Sequence, residues 1–146
     1  MRIAAFCLSV VALLLAGCIM LDTKPIPAGE RTGARYVTLQ SLTLYGAYGK
    51  YPDKTITWYF LASVSIANRY HTPIGTVPRG TEIEIVDLLD RSALGVPHST
   101  IYRIRFLMDA VAGFSGDLVQ VSESQLLEKS PDGSPELSRT FFRRIE

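Results

Sequence analysis

The chain contains two histidines, His71 and His98, which are the first residues to test for catalytic or metal-binding chemistry. Both lie in turn-like contexts near proline, and neither has the Cys, His or acidic neighbours that a metal site requires. A Ser-His-Asp site is conceivable from His98 with Ser99 or Ser115 and Asp109, but no nucleophile-elbow glycine pattern frames a serine. The pattern favours solvated loop histidines. We therefore predict no metal, no cofactor and no enzymatic activity.

Three tyrosines, Tyr45, Tyr48 and Tyr51, follow one another in a segment that also contains Gly, Pro and Lys. Loop tyrosines combine a broad apolar face with a hydroxyl group at a low cost in entropy, so they recur at recognition surfaces. We predict that these three residues contact a ligand. In the alternative interpretation, one or two of the rings fill the interior of the domain. Trp58, close behind them, is predicted to be a core residue.

The first residues have the pattern of a signal peptide. Met1-Arg2 supplies a positive charge, and residues 3–15 form an apolar run. As a helix this run would span only about 20 Å, against roughly 30 Å of membrane hydrocarbon. The tetrapeptide Leu15-Ala16-Gly17-Cys18 resembles the lipobox of bacterial lipoproteins, in which a leucine and two small residues precede an invariant cysteine.

The lipobox resemblance implies that residues 1–17 are removed and that Cys18 is lipidated with diacylglycerol and a further acyl chain such as palmitate. Two or more chains hold a protein stably on a membrane, whereas one binds only marginally. The other cysteine, Cys7, lies in the removed segment, so we predict a periplasmic domain without disulfides. Ile19 stands where inner-membrane lipoproteins tend to have Asp. This implies the periplasmic leaflet of the outer membrane, with the inner membrane less favoured.

Composition and charge restrict the remaining chain. At 146 residues it fits one domain, and 47% apolar residues can form a modest core. Fifteen Lys and Arg stand against fourteen Asp and Glu, and removing Arg2 leaves fourteen against fourteen. This balance lacks the basic surplus that drives phosphate-backbone binding, so nucleic acid is an unfavoured partner.

The chain divides into four predicted segments. After the signal peptide, residues 18–35 form the lipidated N-terminus and a tether, because prolines, glycines and charges interrupt any periodic pattern. Residues 36–128 form a β-barrel-like domain. Residues 129–146 form a C-terminal extension that opens with the turn-rich sequence KSPDGSP.

Beyond the tether the apolar residues recur with a period of two, which predicts an all-β domain. About five strands are expected: Tyr36–Leu44, Thr57–Ile66, Thr81–Ile85, Thr100–Phe106 and Asp117–Val121. Glu82 and Glu84 on one exposed strand face, and Arg103 and Arg105 on another, predict cross-strand pairs. A capping-box spacing predicts a short helical turn near residues 122–128.

Residues 73–85 read PIGTVPRGTEIEI and resemble the central hairpin of bacterial Src-homology-three-like domains, where a turn precedes an alternating strand. In this resemblance residues 101–106 are the next strand and residues 116–121 the one after. The connection from Asp87 to Thr100 is long. The resemblance covers residues 73–127 and implies a small barrel of about five strands, whose peptide groove borders the first long loop.

The segment from Glu136 onward allows two interpretations. As a helix it would place Leu137, Phe141 and Ile145 on one stripe and arginines on the other, as in helices that lie on anionic lipid or bind a partner groove. As a strand it would place Phe141 and Phe142 on opposite faces and finish the sheet. The sequence is compatible with both.

Two functions of different classes fit these features. The first is a membrane-anchored periplasmic lipoprotein whose non-catalytic β domain binds a protein or peptidoglycan ligand in the cell envelope. The alternative is a tethered inhibitor or immunity factor that blocks a periplasmic enzyme or toxin. The two differ in partner and not in fold.

Overall fold

The computed structural model describes residues 22–26, 29, 31–93 and 96–145. The predicted signal peptide and Cys18 lie outside the described residues. The described part contains eleven strands: β1 Asp22–Pro25, β2 Arg35–Thr38, β3 Leu42–Tyr48, β4 Ile56–Ala62, β5 His71–Val77, β6 Glu82–Ala93, β7 Val96–Phe106, β8 Val119–Val121, β9 Leu127–Lys129, β10 Pro135–Leu137 and β11 Phe142–Arg144. These ranges contain no helix, which confirms the all-β prediction. A membrane-spanning helix is accordingly not found among them.

Nine of the strands form one sheet in the order β11-β2-β6-β7-β8-β4-β3-β5, with β1 also beside β6. Strands β9 and β10 form a separate hairpin. Strands β4 and β8 are parallel, whereas the other described pairs are antiparallel. The pairings run from β11 to β5 without joining these two strands. The described sheet is therefore open, and the small barrel implied by the resemblance is not confirmed.

Strands β6 and β7 form a long hairpin that replaces the predicted connection between Asp87 and Thr100. Their register runs from Ile83 opposite Phe106 to Ala93 opposite Val96. A β-bulge after Ile85 shifts the phase of β6, so Leu88 becomes the next buried residue. This one-residue shift ends the strict alternation, which is why the sequence pattern predicted a strand that stopped at Ile85.

The same bulge determines which acids the two arginines of β7 contact. Glu84 lies directly opposite Arg105, and their side chains form an ion pair of 2.6 Å between Oε2 and Nη2, as predicted. Arg103 lies opposite Asp87 and binds its carboxylate, rather than that of Glu82. The hydrogen bonds that Arg103 donates to the Asp87 carboxylate raise the pKa of Arg103. These partly exposed pairs favour the register more than they add to stability.

Two N-terminal strands lie end to end along the edge of β6 that faces away from β7. β1 pairs with Leu89–Ser92, and β2 pairs with Glu82–Glu84. Between them the backbone N–H of Ile26 donates to Leu88 O at 2.9 Å, and that of Gly33 donates to Ile85 O at 2.8 Å. Part of the segment predicted as a tether, Asp22–Pro25, is thus hydrogen-bonded to the domain.

Strand β5 was not predicted, because Pro73, Gly75 and Pro78 resemble turn residues. Among the strands that the structure describes, β5 pairs with β3 alone and lies at the edge of the sheet. A proline is tolerated on an edge strand, where an absent N–H breaks no ladder hydrogen bond. A Cβ on Gly75 would lie 2.6 Å from Val111 Cγ1, so the glycine allows this side chain to pack closely on the strand.

The main core lies on one face of the sheet. Its buried members include Leu42, Leu44, Leu61, Val77, Ile83, Ile85, Tyr102, Ile104, Val119, Val121, Leu126, Leu137 and Phe142. In β4 the side chain that reaches this core is Leu61, with Tyr59 packed against it. The alternate residue Trp58 is 38% exposed, so the prediction that Trp58 is a core residue is wrong.

The C-terminal segment forms strands, and its helical interpretation is wrong. β10 pairs with β9, and β11 pairs with β2, where Phe142 lies opposite Thr38. Phe142 enters the core while Phe141 is partly buried. The predicted helical turn near residues 122–128 is a turn closed by Leu126 N–H and Glu123 O at 2.9 Å, followed directly by β9.

Candidate functional site

The structure separates the three tyrosines that the sequence groups together. Tyr45 is only 3% exposed. Its ring stacks on Phe60 with centroids 5.4 Å apart, and its hydroxyl oxygen accepts the backbone N–H of Ile66 at 3.0 Å. Tyr45 therefore belongs to the interior of the domain, which is the alternative interpretation given above for one or two of these rings. Its side chain is not accessible to a ligand in solvent.

Tyr51 lies at the surface in a small cluster with Arg69 and Tyr70. Tyr51 is 50% and Tyr70 is 43% exposed. Their rings meet edge to face with centroids 6.2 Å apart. The Arg69 guanidinium carbon lies 5.2 Å from the Tyr51 ring centroid and 5.0 Å from that of Tyr70. Arg69 Nη2 also donates to the Tyr70 hydroxyl at 2.9 Å, so one cation orders both rings.

Trp58 and His71 extend this surface across the sheet. Trp58 lies in β4 and His71 in β5, the two strands that flank β3, and each is directly opposite Ala47 of β3. The three side chains therefore lie on the same face of the sheet. Phe60 meets His71 edge to face at 4.9 Å. Tyr48 is half-buried, and its backbone N–H donates to Tyr70 O at 2.9 Å. We name the end of the sheet formed by Tyr48, Tyr51, Trp58, Arg69, Tyr70 and His71 the aromatic end.

Local hydrogen bonds fix the two loops of the aromatic end. In the first loop, Asp53 Oδ1 accepts the backbone N–H of Thr55 at 3.0 Å and its hydroxyl at 2.7 Å, and these bonds lower the pKa of Asp53. In the second loop, Asn68 Oδ1 accepts the backbone N–H of Tyr70 at 2.8 Å, while its amide nitrogen lies 3.0 Å from His71 Nδ1. Asx-type turns of this kind hold loop backbone in one conformation.

The structure does not assemble the conceivable Ser-His-Asp site. His98 Nδ1 lies 3.3 Å from Asp90 Oδ2, a partner on the opposite strand of the β6–β7 hairpin. Among the described residues no hydrogen bond joins His98 to Ser99, Ser115 or Asp109. Within the same residues, no three metal-binding side chains come together.

A second feature, which no sequence pattern predicted, is a groove of about 850 Å³ at the β11 side of the sheet. We name it the arginine groove. Its lining combines charged, phenolic and apolar side chains: Ile26, Gly29, Arg31, Tyr36, Leu39, Leu88, Tyr102, Glu136, Leu137, Arg139, Phe142, Arg143 and Arg144. They come from separate parts of the chain. The one sequence signal was the basic character of the C-terminal segment, which was interpreted as the polar face of a helix.

Arg31 closes one wall of the arginine groove. Its Nη1 donates to the Tyr102 hydroxyl at 3.1 Å and to Pro135 O at 2.9 Å, and its Nη2 donates to Ser134 Oγ at 2.6 Å. The Tyr102 hydroxyl donates to Pro135 O at 2.6 Å. Burial raises the pKa of Tyr102 and of Tyr36, so both phenols stay neutral hydrogen-bonding groups at neutral pH.

Comparison of the chain with protein families, with curated proteins and with solved structures found no match. Any function of the domain must therefore be inferred from the geometry of the aromatic end and of the arginine groove.

Proposed function

We propose that this chain is a membrane-anchored periplasmic lipoprotein whose non-catalytic β domain binds a protein partner in the cell envelope. The observation that supports this proposal is the exposure of Tyr51, Trp58 and Tyr70 at the aromatic end. Large aromatic side chains held rigidly at the surface are typical of binding sites, because little entropy is lost when a partner covers them. The proposed anchor is the acylated Cys18, in the outer membrane.

The position of Arg69 favours a protein over peptidoglycan as the partner. Sugar rings bind by stacking on the face of an aromatic side chain. Arg69 already lies over the rings of Tyr51 and Tyr70, at 5.2 and 5.0 Å from their centroids. A mixture of Trp, Tyr and Arg is instead the composition of the residues that dominate protein–protein affinity. Peptidoglycan binding is the competing outcome when the partner is captured experimentally.

Truncating one exposed ring should weaken partner binding without changing the fold. The lipidated full chain, in non-ionic detergent, serves as bait for envelope proteins and, separately, for purified peptidoglycan sacculi. For the protein captured by wild type, we expect Tyr51→Ala and Trp58→Ala each to reduce affinity by about thirtyfold, as hot-spot truncations of about 2 kcal/mol do. The melting temperature of Tyr51→Ala should stay close to that of wild type, since half of the side chain is in solvent, and Trp58→Ala, at a site that is 38% exposed, should lower it only modestly.

Met108→Ala is the matched control, because Met108 is an exposed apolar side chain, 52% accessible, in the loop after β7 and outside the aromatic end. It should bind like wild type. Wild-type affinity in both aromatic variants would refute the assignment of this surface. If the wild-type chain sedimented with sacculi and Tyr51→Ala did not, the partner would be peptidoglycan and not a protein. If the captured protein is an enzyme that the chain inhibits, the role is that of an inhibitor or immunity factor.

Membrane anchoring is tested separately at Cys18. In cells expressing the full chain, Cys18→Ser should abolish palmitate labelling and leave an unprocessed precursor, because the thiol is the acceptor of the diacylglycerol. Cys7→Ser is the matched control and should label normally. Wild type should sediment with outer-membrane density on a sucrose gradient. Palmitate labelling of Cys18→Ser would contradict Cys18 as the site of lipid attachment. An inner-membrane position of the wild type would contradict the outer-membrane location that Ile19 implies.

A further inference from the structure

Among the described residues, more positive than negative side chains line the arginine groove. Four arginines line it, Arg31, Arg139, Arg143 and Arg144, against one described lining acid, Glu136. Arg31 lies 3.7 Å from Glu136, and Arg139 lies 3.3 Å from Glu128, which compensates it from outside the lining. Within the described part, Arg143 has no such acidic partner. The groove therefore presents a positive potential toward solvent.

Apolar side chains from four separate segments line the same groove. Ile26, Leu39, Leu88 and Phe142 lie among the charged groups, and Phe142 and Leu88 are also core residues. A groove that only bound a small hydrated anion would not need this lining. A volume of about 850 Å³ is also far larger than a phosphate group and falls in the range of ligand-binding pockets.

The two phenols supply neutral hydrogen-bonding groups between the charged and apolar parts. Tyr36 and Tyr102 both line the groove, and their hydroxyls are close enough to Arg31 for its charge to lower their pKa, against the larger opposing effect of burial. Arg144 acts on Tyr36 in the same way. Because the Tyr102 hydroxyl already donates to Pro135 O, Tyr36 and Arg143 are the donors that remain to bind phosphate or carboxylate oxygens.

We infer that the arginine groove binds an anionic amphiphile, a molecule with a phosphate or carboxylate head attached to an apolar body. The head contacts Arg143 and its neighbouring arginines, and the apolar body covers Ile26 and Leu39, the partly buried apolar residues of the lining. Anionic phospholipids and fatty acids both have this chemistry. The inference concerns a different surface from the aromatic end and does not rest on the lipidation of Cys18.

The test uses the purified full chain in a non-ionic detergent and four probes: phosphatidylglycerol, palmitate, phosphatidylcholine and inorganic phosphate. We expect phosphatidylglycerol or palmitate to bind at least about tenfold more tightly than phosphatidylcholine, which has no net charge. Inorganic phosphate alone should compete weakly, because it lacks the apolar body. Tighter binding of phosphatidylglycerol would identify the ligand as a phospholipid, and tighter binding of palmitate would identify it as a fatty acid.

Arg143→Gln removes one charge from the groove, and we expect it to lower the affinity for the anionic probe by about tenfold. Arg143 is exposed, so this variant should fold like wild type. Lys54→Gln removes one positive charge from the exposed loop between β3 and β4 and should bind like wild type. Equal affinity for the anionic probes and phosphatidylcholine would overturn the inference. So would wild-type affinity in Arg143→Gln, or full competition by inorganic phosphate.

Discussion

Replacing Tyr45 with alanine is expected to lower the free energy of unfolding by about 3–5 kcal/mol, the usual cost of truncating a buried ring. Tyr45 is 3% exposed and stacks on Phe60, so its removal leaves a cavity that its neighbours fill only in part. Because a domain of this size is stable by only about 5–15 kcal/mol, the loss should be evident as a large fall in melting temperature. Chemical denaturation followed by tryptophan fluorescence provides the free energy.

Two variants separate the roles of the ring and its hydroxyl. Tyr45→Phe keeps the ring and removes only the acceptor for the Ile66 N–H, so it should cost about 1–3 kcal/mol. Tyr51→Ala, in a side chain that is half in solvent, should leave the melting temperature nearly unchanged. If Tyr45→Ala melted like wild type, Tyr45 would belong to the recognition surface with Tyr51, contrary to its burial in the structure.

Phe142→Ala is expected to destabilise the domain by a similar amount, about 3–5 kcal/mol, although Phe142 lies in the three-residue strand β11. The side chain is 2% exposed and belongs to the main core, where it also lines the arginine groove. Removing it should loosen the pairing of β11 with β2 as well as the core. The free energy of unfolding and hydrogen exchange at Val37, whose partner is Arg143, would measure both effects.

The neighbouring Phe141 is the matched control. It carries the same ring and is partly buried, so Phe141→Ala should cost clearly less than Phe142→Ala. An amphipathic helix would reverse this order, because its apolar stripe would contain Phe141 and not Phe142. A larger loss at Phe141 would therefore contradict the strand and restore the helical interpretation.

The parts of the fold that the sequence predicted are those in which one strand face is buried without interruption. Ile83 and Ile85 alternate with partly exposed acids, and Tyr102 and Ile104 alternate with arginines, so these segments were predicted as strands. Two features were not predictable in this way. A bulge moved the buried face of β6 to Leu88, and the edge position of β5 made Pro73 compatible with a strand.

Of the residues at the aromatic end, only Tyr48 and Tyr51 were singled out from the sequence as candidate ligand contacts, whereas Arg69 and Tyr70 were not. Which rings face solvent depends on what covers each face of β3 and β4. Tyr45 is covered by Phe60, while Trp58 has only the small Ala47 directly opposite it in β3. The arginine groove was not predicted, since Arg31, Tyr36 and Tyr102 are brought to Arg143 only by the pairing of β2 with both β6 and β11.

The three residues of β8 have a consequence for the order in which the sheet is completed. The β3–β4–β5 half and the β6–β7 half are each built from nearby segments, and β8 is the strand that joins β7 to β4 in the strand order. Val119–Val121 therefore connect two locally formed units by pairing with one strand of each. Pairing between segments distant along the chain is the slow part of folding, because loop-closure entropy must be lost before the contacts form. The β4-β3-β5 unit and the β6–β7 hairpin can thus form early, and the continuous sheet exists only once this short strand is inserted between them.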